Sequence, residues 1–272
     1  MADSALKTKT TISLFWSFLD KFGQQLINLL SSLILMAVVA KAEFGIMGIL
    51  AVFTAFSGLI IDSGFSRALL NRKDITEIEY NSVFYFNVTL SVALYLILYI
   101  AAPFLADIFH EPKIIPVSRI LFLSFIFNGI GLIHQTLLTK KADFRGLTKI
   151  NIPAILLSAI IAILMAIKGY GIWALVAQIV FYSLFRTIFL WIYSSWRPAK
   201  VFSFRMLKNS MGLSNKLLAG SLISAVFNNI YPSIIAFFFP NSMNSVADYA
   251  QANKYQDIPF AMISNTFRSI SM

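Results

Sequence analysis

Long apolar runs recur along the chain, separated by short polar gaps. A helix needs about 20 mostly apolar residues to cross the roughly 30 Å hydrocarbon layer of a bilayer, and the pattern predicts eight such segments. They run from Ile12 to Val38, Phe44 to Ile61, Val83 to Leu105, Val117 to Leu138, Ile152 to Ile167, Ile172 to Tyr193 and Leu213 to Phe239, and the eighth begins near Asp248 and continues to Met272. Runs such as Ile152 to Ile167 are apolar on nearly every face, which excludes the alternating strands of a membrane barrel. The expected fold is all-α, a polytopic bundle of membrane helices. Because the chain stops within its eighth apolar run, a truncated second group of helices is expected.

The first segment breaks the apolar rule in an ordered way. Ser13, Ser17, Asp20, Lys21, Gln24, Gln25, Asn28, Ser31 and Ser32 fall within one arc of about 140° at the helical period, and the other face is Leu, Ile, Phe, Val and Met. A charge at the depth of a helix centre costs about 2.5 to 3.5 kcal/mol on insertion scales, so such residues face a bundle interior or a watery cavity. Asp20 lies about 12 Å into a span begun at Ile12, at 1.5 Å per residue, which is deep for a carboxylate to reach the headgroups. The competing reading has Asp20 and Lys21 reaching back to the interface while the amides join helices through hydrogen bonds.

A weaker stripe marks the seventh segment, where Lys216, Gly220, Ser221, Ser224 and Asn228 share an arc that leaves out Asn229, and Pro232 bends the helix. Either a second cavity wall or simple packing accounts for it. Arg186, near the middle of the sixth segment, is the further candidate for holding an anionic group, since a guanidinium binds phosphate oxygens bidentately. His134 reads as an interfacial histidine, and Asp257 joins Asp20 as a candidate for ion coupling.

Composition agrees with a membrane bundle. Of 272 residues, 58% are hydrophobic and only 12% charged, with a mean hydropathy of +0.76, against about 25% charged in a soluble domain. The net charge of +10 is topological. Lys7, Lys9, Arg67, Arg72, Lys73, Lys140, Lys141, Arg145, Lys149, Arg197, Lys200, Arg205 and Lys208 fall in alternate gaps on one side, and only Lys41, Lys113 and Lys168 on the other. The positive-inside rule then puts the N-terminus in the cytoplasm. Charges scattered over separate loops argue against nucleic-acid binding. A cleaved secretory signal is disfavoured, because the first apolar run is too long and is interrupted by Asp20, Lys21, Gln24, Gln25 and Asn28.

The loops are too short for a soluble catalytic domain. Neither a Walker A sequence, nor HExxH, nor GxSxG occurs, and the histidines are two, His110 and His134. With no cysteine in the chain, disulfides and thiol chemistry are excluded. Neither enzymatic chemistry nor a cofactor is expected. The basic stretch from Ser194 to Gly212, with Pro198, is the one internal boundary. It divides a first lobe of six helices (residues 1–196) from the start of a second (213–272) through a cytoplasmic hinge (197–212).

Several stretches together carry a family resemblance. They are Gln24-Gln25 before the apolar run into Glu43-Phe44-Gly45, Asp62-Ser63-Gly64-Phe65 with Ala68-Leu69, Arg72-Lys73-Asp74, Val83-Phe84-Tyr85-Phe86-Asn87, Lys140-Lys141-Ala142-Asp143-Phe144-Arg145, and Gly171-Ile172-Trp173-Ala174-Leu175-Val176-Ala177-Gln178. In this order the chain resembles the polysaccharide flippases of the multidrug/oligosaccharidyl-lipid/polysaccharide superfamily, of the Wzx-like lipopolysaccharide branch. The resemblance implies two six-helix lobes around a central cavity, of which this chain supplies the first and part of the second. It implies a bacterial inner-membrane exporter that moves an undecaprenyl-diphosphate-linked oligosaccharide by alternating access, amid membrane lipids and other glycan-assembly proteins. Cavity cations would balance the diphosphate, and polar side chains would solvate the sugars. The departures are Tyr231-Pro232 and Phe237-Phe238-Phe239-Pro240. Three alternatives stay open: an ion-coupled exporter of cationic drugs, a membrane-embedded glycan polymerase or ligase, and a non-transporting assembly partner.

Overall fold

The computed structural model describes residues 2–62, 69–70, 75–239, 243–253 and 256, with side chains from Phe15 onward except most of those between 208 and 228. Among these residues all regular structure is helical. The helices are α1 (Ala2–Val38), α2 (Lys41–Asp62), α3 (Glu77–Phe109), α4 (Ile114–Leu121), α5 (Leu123–Lys140), α6 (Phe144–Ile167), α7 (Ile172–Tyr193) and α8 (Phe204–Phe238), followed by α9 over residues 243–253.

Among the described residues, six stretches are long and apolar enough to cross a membrane: Phe15–Val38, Lys41–Asp62, Glu77–Phe109, Ile114–Lys140, Phe144–Ile167 and Ile172–Tyr193. They match the first six predicted segments, and the chain is a multi-pass membrane protein built as a helical bundle. The seventh predicted segment lies in α8, whose apolar part is Asn229–Phe238. The eighth begins in α9, and from residue 257 onward it lies outside the described residues.

Helix starts differ from the apolar pattern where capping chemistry overrides it. The third segment opens six residues before Val83, because Thr76 and Glu79 form a reciprocal capping box that satisfies otherwise unpaired amides. In the fifth, the Asp143 side chain accepts from the Gly146 amide at 2.8 Å, so α6 begins at Phe144 rather than Ile152. A break at Phe122 divides the fourth segment into α4 and α5.

Small residues set the packing. Ala154, Ser158, Ala162 and Ala166 recur every fourth residue on α6 and are all buried, so neighbouring backbones approach closely. α6 packs between α1 and α7, α7 lies against α5, and α5 lies against α3. α2 pairs with α8 and reaches α3, α5 and α7. Apolar side chains cover the outer faces, with Ile100 76% and Ile192 74% exposed, as suits contact with lipid.

Residues 194–203 carry no regular structure, and α8 starts at Phe204. The predicted linker 197–212 is therefore part strap and part helix. The strap lies on the N-terminal end of α3: the Trp196 indole donates to Glu77 Oε2 at 2.9 Å, the Ala199 amide to Asn81 Oδ1 at 2.6 Å and the Ser203 amide to Ser82 Oγ at 2.9 Å.

Candidate functional site

The polar face of α1 divides between two neighbours. Its first half faces α6. There Asp20, 4% exposed, accepts from Asn151 Nδ2 at 3.1 Å through one carboxylate oxygen and 3.2 Å through the other. Asn151 Oδ1 in turn accepts from Arg186 Nε at 3.0 Å. One asparagine thus joins a buried carboxylate on α1 to a guanidinium on α7, each charge meeting the amide end of matching polarity. Nearby, Thr148 Oγ1 donates to the Trp16 carbonyl at 3.1 Å.

The second half of the stripe faces α7 and a cavity. Tyr182 donates to Gln24 Oε1 at 3.1 Å, and Gln178 Nε2 donates to Ser31 Oγ at 2.9 Å. The cavity holds about 650 Å³ and is walled by α1, α2, α6, α7, α8 and α9. Its polar lining comes from Gln24, Asn28, Ser32, Ser158, Gln178, Tyr182, Asn229, Gln251 and Asn253, with Phe44, Met47, Leu35 and Leu175 as apolar wall. Among the described lining residues none carries a charge. Amides and hydroxyls both donate and accept, and the apolar wall offers flat faces, a lining suited to a neutral, hydroxyl-rich guest.

Of the sequence-predicted candidates, Asp20 and Arg186 meet at Asn151, and Gln24 and Asn28 line the cavity. Lys21 is exposed and Gln25 half-buried, neither among the described lining residues. Arg186 is joined to Asp20 through Asn151. Lys216 and Asn228 lie on α8, but their side chains, and the whole of Asp257, lie outside the described residues. Asn229, which the helical arc left out, does line the cavity. His134 is fully buried within the protein, its ring 4.7 Å from that of Trp191 and 5.3 Å from that of Trp196.

The polar-stripe pattern does not single out Asn151, Ser158 or Tyr182, and Gln178 enters the sequence pattern only as the end of the run from Gly171. A signal was present, since Gln178, Tyr182 and Arg186 are spaced four apart and so form one polar row on α7.

A family match and several relatives place the chain among known proteins. The model of a family described as polysaccharide biosynthesis protein matches residues 34–272. The chain is 29% identical over 194 residues to the teichuronic acid biosynthesis protein TuaB of Bacillus subtilis, covering 68% of this chain and 39% of that one. It is 25% identical over 244 residues to the succinoglycan biosynthesis transport protein ExoT of Rhizobium meliloti, with 90% and 49% covered. To the lipopolysaccharide biosynthesis protein WzxC of Escherichia coli it is 21% identical over 241 residues, with 85% and 48% covered. The chain thus spans about half the length of the curated relatives it matches or less. No solved structure gives a significant match.

Proposed function

Since the chain belongs to the polysaccharide biosynthesis protein family, we propose that it forms the first lobe, and part of the second, of an exporter that flips a lipid-linked oligosaccharide across the bacterial cytoplasmic membrane. The observation that carries this reading is the cavity between α1, α2, α6, α7, α8 and α9, whose polar lining among the described residues is of amides and hydroxyls without a charge. Sugar hydroxyls compete with water for such groups, and a cavity of this polarity shelters a glycan inside the apolar layer where each unmet hydrogen bond is costly. The lipid tail stays in the bilayer while the glycan crosses.

The names of the relatives, which speak of succinoglycan transport and of teichuronic acid and lipopolysaccharide biosynthesis, support a glycan cargo, and the proposal takes its carrier to be undecaprenyl diphosphate. The basic loops support a cytoplasmic N-terminus. The break between α7 and α8 over residues 194–203 supports the reading of two lobes that move around the cavity by alternating access. Arg186 lies on the α7 row that carries the cavity residues Gln178 and Tyr182, and its bond through Asn151 to Asp20 supports a role in balancing the diphosphate or coupling an ion at that cluster.

The rival reading, an ion-coupled exporter of cationic drugs, wants a carboxylate in the cavity wall. Asp20 is instead engaged by Asn151, and the described lining carries no acid. The test is replacement of Asn28, Gln178 or Tyr182 by alanine in the native host, with protein level checked in the membrane. The expected result is loss of surface glycan and accumulation of its lipid-linked precursor, with drug susceptibility unchanged. Unchanged glycan alongside altered drug efflux would overturn the proposal.

A further inference from the structure

At the end of the bundle away from the basic loops, α2 meets the second group of helices at unusually short range. A Cβ placed on Gly45 would stand 2.5 Å from the Met243 carbonyl oxygen, and one on Gly48 would stand 3.0 Å from the Ala250 Cβ and 3.4 Å from the Pro232 Cβ. Only glycine lets the backbones approach so closely. At the rim of this contact Lys41 Nζ lies 2.6 Å from Asp248 Oδ1 and 2.8 Å from Oδ2. Val246 and Ala236, both fully buried, pack with Ile46 and Ile49 between them, and Ser233 donates to the Ile49 carbonyl at 3.3 Å. These contacts lie beside the cavity, whose wall includes Phe44, Met47, Gly48, Pro232, Ala250 and Gln251.

From this geometry we infer that Lys41, Gly45 and Gly48 on α2, with Met243, Asp248 and Ala250 on α9, form a releasable seal that closes the cavity toward the outer face. The inference deepens the export reading and rests on it for its purpose, though not for its existence. A seal of this kind must hold the resting state and yet open in every cycle. Its rim suits both demands. Lys41 and Asp248 have side chains 55% and 64% exposed, and an ion pair so wet is weak and exchanges readily with water. The close glycine contact supplies shape instead of strong bonds, so opening strands no buried polar side chain of the rim pair.

These 272 residues hold no cysteine, so reporter cysteines introduced among them, with any cysteine elsewhere in the protein replaced, make the seal measurable in the host membrane. With Ala51→Cys as a reporter in the cavity wall, labelling by a membrane-impermeant maleimide added outside reads whether the seal is open. Low labelling is expected in the parent. Lys41→Asp should raise it about two- to fivefold, the range of an exposed ion pair, and the charge-swapped pair Lys41→Asp with Asp248→Lys should return it to the parent level. Gly45→Val should raise it more. In a separate background, Lys41→Cys with Asp248→Cys should oxidise to a disulfide that abolishes glycan export until it is reduced. Unchanged labelling in Lys41→Asp and Gly45→Val, or failure of the cysteine pair to cross-link, would overturn the seal. Labelling reports on the seal without reference to cargo. A correct labelling pattern with no effect on surface glycan would therefore sink the export reading and leave the seal standing.

Discussion

The carboxylate of Glu43, in the first turn of α2, sits over Gly171 at the start of α7: a Cβ on Gly171 would stand 2.7 Å from both of its oxygens. Two of the sequence stretches that carry the family resemblance, Glu43-Phe44-Gly45 and the run from Gly171 to Gln178, are therefore one contact in space. Gly171 has φ +53° and ψ −124°, a conformation open to glycine and strained for other residues. A carboxylate placed at the amino end of α7 also meets the positive end of the helix dipole.

Gly171→Ala is expected to destabilise the protein by about 1 to 3 kcal/mol, the usual cost of a non-glycine residue in a glycine-only backbone region. Thermal unfolding of the detergent-purified protein measures it, and an unchanged midpoint would refute the strain argument. Gly169→Ala is the informative comparison. It shares a positive φ of +80° but has open space around its Cβ position, so its loss should be smaller.

Asn151→Ala removes both the donor to Asp20 and the acceptor for Arg186. Leaving a buried carboxylate without its donor costs about 1 to 3 kcal/mol, and more where the group is charged. The expected outcome is lower thermal stability together with weakened glycan export. Combined with Asp20→Ala, the two losses should fall short of additivity, since removal of Asp20 removes the group that Asn151 serves. A double-mutant cycle on the unfolding midpoint checks this, and additive effects would show that the two residues act apart.

The strap over residues 194–203 offers a third test. Asn81→Ala should leave the Ala199 amide without its acceptor, and Ser82→Ala should do the same to the Ser203 amide, because the partners lie 2.6 Å and 2.9 Å away. Each loss is about 1 kcal/mol. That is enough to raise the open population of the strap several-fold, and faster limited proteolysis near Arg197 and Lys200 is the readout. Protection equal to that of the parent would mean that the strap is held by Trp196 and the helix ends instead.

Much of the architecture was written along the chain. Six apolar segments match helices able to cross a membrane because in lipid every backbone amide must be paired within its own helix, so length and hydropathy alone determine where such a helix runs. The stripe from Asp20 to Ser32 was legible for the same reason: polar side chains on one arc of an otherwise apolar helix must turn inward. Helix starts were less legible, since Thr76 with Glu79 and Asp143 with Gly146 act through capping hydrogen bonds that hydropathy does not register.

Pairing across helices was decided only in three dimensions. Asp20 and Lys21 are neighbours in sequence, yet Asp20 is buried and Lys21 exposed, and the partner of Asp20 is Asn151, 131 residues away. Asn229, which the predicted arc leaves out, lines the cavity from α8 beside Pro232, because the rotation of a helix depends on what it packs against. The period of a helix tells which residues share a face. Which neighbour that face meets is chosen by close-packing of small residues such as Ala154, Gly45 and Gly48, and their fit exists only once both surfaces are assembled.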